Sequence, residues 1–416
     1  MTQTLLIELR TEELPPKALN LLGNSLAASV AEALEKEQLI DGEADFSAYA
    51  SPRRLAVQVK NVKAVQADRR VVKKGPAVAA GMKDGTPTKA LEGFARSCGA
   101  EITALSVVND GKQDVYAYEY TQQGQPLSAL ISEILAQAVK KLPIPKVMRW
   151  GSSTHTFVRP VHGLVVMHGA DTVAAEVLGL SSQNATLGHR FLSDGQIVFA
   201  DADAYAEQMR AQGKVIASFA ERKAAIQAAL NEQAGRLNAT VAADEALLDE
   251  VTALVEWPVV LEAGFEAHFL AVPQECLILT MQQNQKYFPL LDASGKLMNR
   301  FLLVTNLQTK DPSHIISGNE RVLRARLSDA EFFYKQDQKA TLESRLPKLE
   351  NVVYHNKIGN QAERISRLTS IAGSIAKALG ADVVTGFAAV APEAAAMKDY
   401  IENNDISGIE TPDSVK

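Results

Sequence analysis

His155, His162, His168 and His189 are the side chains best suited to move a proton or hold a metal, but no two stand at the i, i+4 spacing of a helical zinc pair. They read as histidines bonded to backbone and loops. No histidine-aspartate dipeptide occurs in the chain, which leaves a metal-dependent phosphohydrolase without support. Gly213-Lys214 superficially resembles a phosphate loop, yet Val215 stands where a Ser or Thr is needed and the earlier glycine is missing, so it reads as a turn. No dinucleotide fingerprint or serine nucleophile elbow is found. Glu12 and Glu13 could act as acid and base; placed before Pro15-Pro16, they read instead as the N-terminal cap of a helix. Cys98 and Cys276 fit neither metal-ligand spacing nor a disulfide framework and are expected to be two buried structural thiols in a reducing compartment.

The cations are more suggestive. Arg53, Arg54, Lys60, Lys63, Arg69, Arg70, Lys73 and Lys74 fall within a stretch whose one acidic residue is Asp68, and such an excess can neutralise phosphates. A solvated strand face would give the same pattern. Lys140, Lys141, Lys146 and Arg149 form a second cluster, stiffened by Pro143 and Pro145 and closed by Trp150; a preorganised cation loses less entropy on binding. Arg321, Arg324 and Arg326 form a third, ahead of Asp329, Glu331 and Phe332-Phe333-Tyr334. On a helix, Arg321 and Arg324 share a face while Leu323 and Leu327 turn inward, free to meet phosphate, an acidic partner or the nearby Asp329 and Glu331.

Periodicity supplies the elements that must hold these groups. Thr4 to Leu9 predicts a strand, ended by Pro15-Pro16, and Leu19, Leu22, Leu26, Val30 and Leu34 recur at helical spacing. Arg54 to Val62 alternates as a half-exposed strand, and Lys74 to Thr88 is punctuated by Gly and Pro as a loop or subdomain entry. A helix is expected over Ala90 to Arg96, an aromatic strand over Val115 to Tyr120, and two helices parted near Gly213 within Ala204 to Asn238. The expected organisation is an α+β domain over 1–340 with a possible inserted subdomain at 63–140. A purely helical segment from Leu342 to Leu379 opens a second domain, 341–397, and 398–416 reads as a loose tail.

The chain of 416 residues can hold two or three domains, and 46% hydrophobic with 22% charged residues is an ordinary globular balance. Forty-three Lys plus Arg against 49 Asp plus Glu gives −6, so a generic nucleic-acid coat is excluded and any basic face must be local. The opening residues make a poor signal peptide, and no apolar run approaches the ~18 residues of a membrane span. A cytoplasmic protein without membrane contact is expected.

Taken in order, TEELPPKAL, SPRRLAV, LPIPKVMRWG, FVRPVHG, GHRF, GKVI, LVEWPVVL, QKYFP, ISGNERVLRARLSDAEFF and LPKLENVVY resemble the β subunit of bacterial glycine–tRNA ligase, nearly unbroken from residue 4 to about 382. In that family two α and two β subunits assemble. The resemblance implies that α makes glycyl-adenylate from glycine and ATP with magnesium, and that β binds no cofactor of its own, supplies most tRNA contacts and is not catalytic alone. It implies an N-terminal mixed α/β domain of the editing type found in the phenylalanine enzyme's β subunit, then a helical domain of the HD superfamily, incomplete here. Family members are longer; this chain is also shorter than their pattern around Lys357 to Arg364, so an N-terminal portion lacking the anticodon-binding domain is expected. Local charge and motif membership nominate Arg53, Arg54, Lys146, Arg149, Arg159, Arg190, Arg321, Arg324 and Arg326 for contact with glycine tRNA or the α subunit. Two rivals stand beside this: a deacylase of mischarged tRNA, for which no nucleophile with a partnered base can be named, and a structural module that holds α without touching RNA.

Overall fold

The computed structural model describes residues 2–83 and 85–380. Two compact units are distinguished, Met1–Leu327 and Ser328–Lys416, so the division falls before the expected boundary near 340. The tail expected over 398–416 lies outside the described residues.

At the centre of the first unit is an antiparallel five-stranded sheet of β1 (Thr2–Thr11), β2 (Phe46–Ser51), β3 (Arg54–Lys63), β4 (Val161–His168) and β5 (Asp171–Thr172), ordered β5-β4-β1-β3-β2. Side chains alternate along β1, so Leu5, Ile7 and Leu9 enter one core while Leu6 and Glu8 face the other way. The first core is closed by α1 (Leu19–Lys36) and α2 (Leu127–Lys141), whose Leu22, Leu26, Val30 and Ile131, Leu135 stripes are buried against the sheet. Each fully buried Leu or Ile there contributes roughly 1.5–3 kcal/mol. At Gly23 a Cβ would lie 2.7 Å from Ala50 Cβ, so glycine sets how closely α1 approaches β2.

The opposite face is covered too, by Ile197, Phe199, Tyr205, Met209 and Val215 around α3 (Tyr205–Ala211). This overturns the half-exposed reading of β3: its first six residues are all buried, because both faces of the strand are covered. Its polar members are bonded inside, Gln58 accepting from Tyr49 Oη at 2.6 Å and donating to the Ala202 carbonyl at 2.5 Å.

A small insertion leaves the main sheet after β3. Its strands Arg69–Ala77, Ser106–Asn109 and Asp114–Gln122 form a sheet with Asp114–Gln122 in the middle, carrying the helix Lys89–Cys98. Entry and exit run side by side, Gln66 N donating to Gln125 O at 3.0 Å and Leu127 N to Ala64 O at 2.8 Å. The insertion therefore closes near 126, not 140, since α2 belongs to the main core. Neither cysteine is fully buried as expected: Cys98, ending the insertion's helix, is half-buried and Cys276 is exposed.

A second antiparallel sheet, Thr240–Val241, Phe288–Leu291, Leu297–Thr305 and Val259–Gly264 in spatial order, packs on α4 (Phe219–Arg236) and α5 (Glu245–Thr252). Ser218 caps α4 and Asp244 caps α5, each accepting from the backbone three residues on. A long helix, α6 (Ser313–Asp337), follows, and Leu323 and Leu327 are its buried residues.

The described part of the second unit is not purely helical, as its sequence pattern suggests. A 3-10 stretch, Glu343–Asn351, contains Pro347, and Val353–His355 pairs with Gly359–Asn360 before α7 (Gln361–Ala378). Pro347 removes a backbone donor, and Gly359 adopts φ +98°, so the chain turns where a helix would have continued. α7 opens with a capping box in which Asn360 and Glu363 exchange bonds with each other's backbone N–H.

Candidate functional site

Four of the distinctive strings converge where β1 ends. Thr11 N donates to Arg53 O at 2.8 Å, Glu12 N to Pro160 O at 2.9 Å and Leu14 N to Pro52 O at 2.7 Å, which draws Thr11-Glu12-Glu13, Ser51-Pro52-Arg53 and Arg159-Pro160-Val161-His162 into one rim. The prolines fix φ and donate no hydrogen bond, so the rim is built from rigid loops whose carbonyls remain to accept. Gly188-His189-Arg190-Phe191 completes it. At Gly188 a Cβ would stand 2.5 Å from the Gly213 carbonyl oxygen, which is why this loop can lie flat on Gly213-Lys214.

The Glu12 carboxylate is the hub, 3.0 Å from His162 Nε2 and 3.4 Å from Arg190 Nη2. Arg190 also stands 3.8 Å from Glu13, as does Arg53, and Arg10 Nη2 donates to the His162 carbonyl at 3.1 Å. Partial burial pushes the Glu12 carboxyl up, but Arg53, His162 and Arg190 together outweigh it and hold the group below its ordinary value. Burial pulls the Arg10 guanidinium down; Glu8 opposes this, while Arg53 and Arg54 add to it. The pair is not a helix cap, as its place before Pro15-Pro16 suggests, because both carboxylates are engaged by side chains from other loops. Two arginines, Arg53 and Arg190, meet the two glutamates here, Arg10 holds the His162 carbonyl, and Phe191, 75% exposed, stands beside Arg190.

Beneath the rim lies a buried ionic cluster. Arg54, 1% exposed, is 3.2 Å from Glu8 and 3.4 Å from Glu256, and donates to the Leu187 carbonyl at 3.1 Å. Glu8 also accepts from Tyr205 Oη at 2.7 Å and from Thr186 Oγ1. Burial would lower the Arg54 pKa, but Glu8, Glu256 and Tyr205 raise it further above its ordinary value; burial with Glu8 alongside also lifts Tyr205 well above the usual phenol. Arg222, pulled down to about 10 mainly by burial, donates to the carbonyls of Thr252, Ile216 and Ala50 at 3.0, 2.6 and 2.8 Å. Arg54 is therefore no contact for RNA or a partner: it is a buried counter-ion that also fixes the carbonyl just ahead of the 188–191 loop. Glu8, in the apolar run Leu5-Leu6-Ile7-Glu8-Leu9, was the signal for it.

The remaining nominated cations stand elsewhere. Arg159 is half-buried, its Nη1 donating to Val158 O at 2.8 Å. Lys146 and Arg149 are exposed on the segment leading into the hairpin Met148–Arg149/Thr156–Phe157, and neither forms an ion pair with a described residue. On α6, Arg324 bonds Glu266, whereas Arg321 and Arg326 are exposed without an ion pair to any described residue. The nine positions thus make a rim, a basic hairpin and a helix face, with one buried residue, rather than a single site. His168 Nε2 donates to Val62 O at 2.7 Å, and His189 Nδ1 accepts from Phe191 N at 3.2 Å, both buried. Among the described residues no group of three His, Cys, Asp or Glu could hold a metal, and no helix is long and apolar enough to cross a membrane.

A rim of fixed guanidinium groups, exposed cations on rigid loops and an exposed aromatic suits the binding of anions more than covalent chemistry. Comparison with known proteins gives this a context. The family model described as glycyl-tRNA synthetase beta subunit matches residues 5–399. The glycine–tRNA ligase beta subunit of Neisseria meningitidis serogroup B is 81% identical over 382 residues, covering 92% of this chain and 56% of that relative. The corresponding protein of Neisseria gonorrhoeae is also 81% identical, over 381 residues with the same coverage of both chains. That of Aromatoleum aromaticum is 50% identical over 386 residues, 92% of this chain and 56% of its own. The chain spans little more than half the length of these curated relatives.

Proposed function

The chain belongs to the glycyl-tRNA synthetase beta-subunit family, and from that premise we propose that it is the part of a glycine–tRNA ligase β subunit that docks on the catalytic α subunit and holds glycine tRNA. The complex would contain two α and two β subunits, with ATP and magnesium used by α and none bound by this chain. Phosphate contacts would position the tRNA end without performing acyl transfer, which is the work of positioning rather than of covalent catalysis. On the same reading the first unit is an editing-type mixed α/β domain and the second the start of an HD-superfamily-like domain.

The observation that carries the RNA-contact reading is that Lys146, Arg149, Arg321 and Arg326 are exposed and make no ion pair with a described residue, in a protein of net charge −6. Their charge is available to phosphate at little desolvation cost. The rim arginines differ, since Arg53 and Arg190 already face glutamates and an incoming phosphate would have to compete with Glu12 and Glu13.

Light scattering of the chain mixed with separately purified α subunit, with and without glycine tRNA, tests the proposal. A mixed complex that also takes up tRNA is expected. A folded chain that forms no complex and retains no tRNA would overturn it.

A further inference from the structure

A cleft of about 640 Å³ opens between the end of α2, the hairpin Met148–Arg149/Thr156–Phe157 and the hairpin Glu176–Val177/Leu180–Ser181. Leu142, Phe157 and Val177 form its floor and are part of the main core, so the floor is rigid as well as apolar. Lys140, Thr156 and Glu176 bring an ammonium, a hydroxyl and a carboxylate to its exposed lip. The cleft is outside the Glu12 rim, and no residue around it serves the reading above except the neighbouring Lys146 and Arg149.

Resting on that RNA-binding reading, we propose that this cleft receives an unpaired nucleotide from the single-stranded 3′ end of the RNA. The chemistry of the lining selects this occupant over an apolar peptide. An apolar floor accepts the face of a base, Lys140 faces a phosphate, and Glu176 accepts from ribose hydroxyls. Lys140 has no ion pair with a described residue, so its charge is unspent; the same holds for Lys146 and Arg149, beside which the strand would enter. Pro143 and Pro145 restrain the approach, so little order has to be created on binding. A volume of this size is within the range of small-ligand sites and admits one nucleotide rather than a duplex.

Ala136 provides the test, because it lines the cleft from an exposed position on α2, where Gln and Glu keep helix propensity. Two RNA hairpins with the glycine acceptor-stem sequence, one blunt and one with its unpaired 3′ tail, would be titrated against the full chain at fixed salt. The wild type should bind the tailed hairpin about tenfold more tightly, on the order of what covering one face of a base with apolar side chains supplies. Ala136→Glu should abolish that preference by repelling phosphate, and Ala136→Gln should retain most of it. Lys146→Glu with Arg149→Glu should weaken both hairpins. Equal affinity of the wild type for the two hairpins would overturn the cleft proposal while leaving the proposed function standing, as would equal loss in the Gln and Glu variants. Failure of both hairpins and of intact glycine tRNA to bind would overturn both.

Discussion

Arg54→Ala removes the cation that contacts both Glu8 and Glu256 and tests whether this arginine is structural. Arg54 and Glu8 are each 1% exposed and Glu256 2%, with contacts of 3.2 and 3.4 Å, so water cannot replace the guanidinium without opening the core. Breaking a buried pair by deleting one partner costs about 3–5 kcal/mol. Loss of the donor to Leu187 O, 3.1 Å away, adds about 1 kcal/mol at the lower end for an unsatisfied carbonyl. A total of roughly 4–6 kcal/mol is a large part of the ~5–15 kcal/mol that holds a typical domain folded. Urea unfolding followed by fluorescence of Trp257, next to Glu256 in sequence, would measure it. Arg54→Met combined with Glu8→Gln and Glu256→Gln should recover much of the loss, because no buried charge is then stranded. A loss below about 1 kcal/mol, or reduced tRNA affinity at unchanged stability, would refute the reasoning and return Arg54 to the surface chemistry its sequence context suggests.

Gly23→Ala should cost about 1–3 kcal/mol by overpacking α1 on β2, where the new Cβ would stand 2.7 Å from Ala50 Cβ; an unchanged urea midpoint would contradict that packing. Asn360→Ala removes the capping box of α7 and should destabilise that helix by about 1 kcal/mol, read as faster amide exchange over Gln361–Ala378 than in the parent. Because the folded Glu12 carboxyl titrates below its ordinary 4.5, its contribution to stability is complete above 4.5 and is lost as pH falls through the lower folded value. Glu12→Gln should therefore flatten the acid limb of the stability profile, and an acid limb identical to the parent's would show that Arg53, His162 and Arg190 do not hold this charge.

Hydrophobic period made the first strand, α1 and β3 legible, since Leu5, Ile7 and Leu9 and the α1 leucines do enter one core. What periodicity could not tell is that a second layer covers the other face of the sheet. Residues 197–217 return to cover β1 and β3, so an alternating pattern that promises a wet face conceals Arg54, Gln58 and Glu8. The motifs were legible as a set, but their spatial sorting was not. Glu12, Arg53, His162 and Arg190 meet through pairings of residues far apart in sequence, whereas Lys146 and Arg321, equally cationic in sequence, share no hydrogen bond with them. Inside the second unit, Pro347 and Gly359 outweighed helical spacing.

The most direct test of the RNA-contact claim is the salt dependence of glycine tRNA binding by this chain, compared with the double variant Lys146→Glu, Arg149→Glu. If these cations meet phosphates, affinity falls in the variant and the slope of log affinity against log salt becomes shallower by roughly one for each contact removed. An unchanged slope with unchanged affinity would contradict the account and leave the exposed cations without a role in holding RNA.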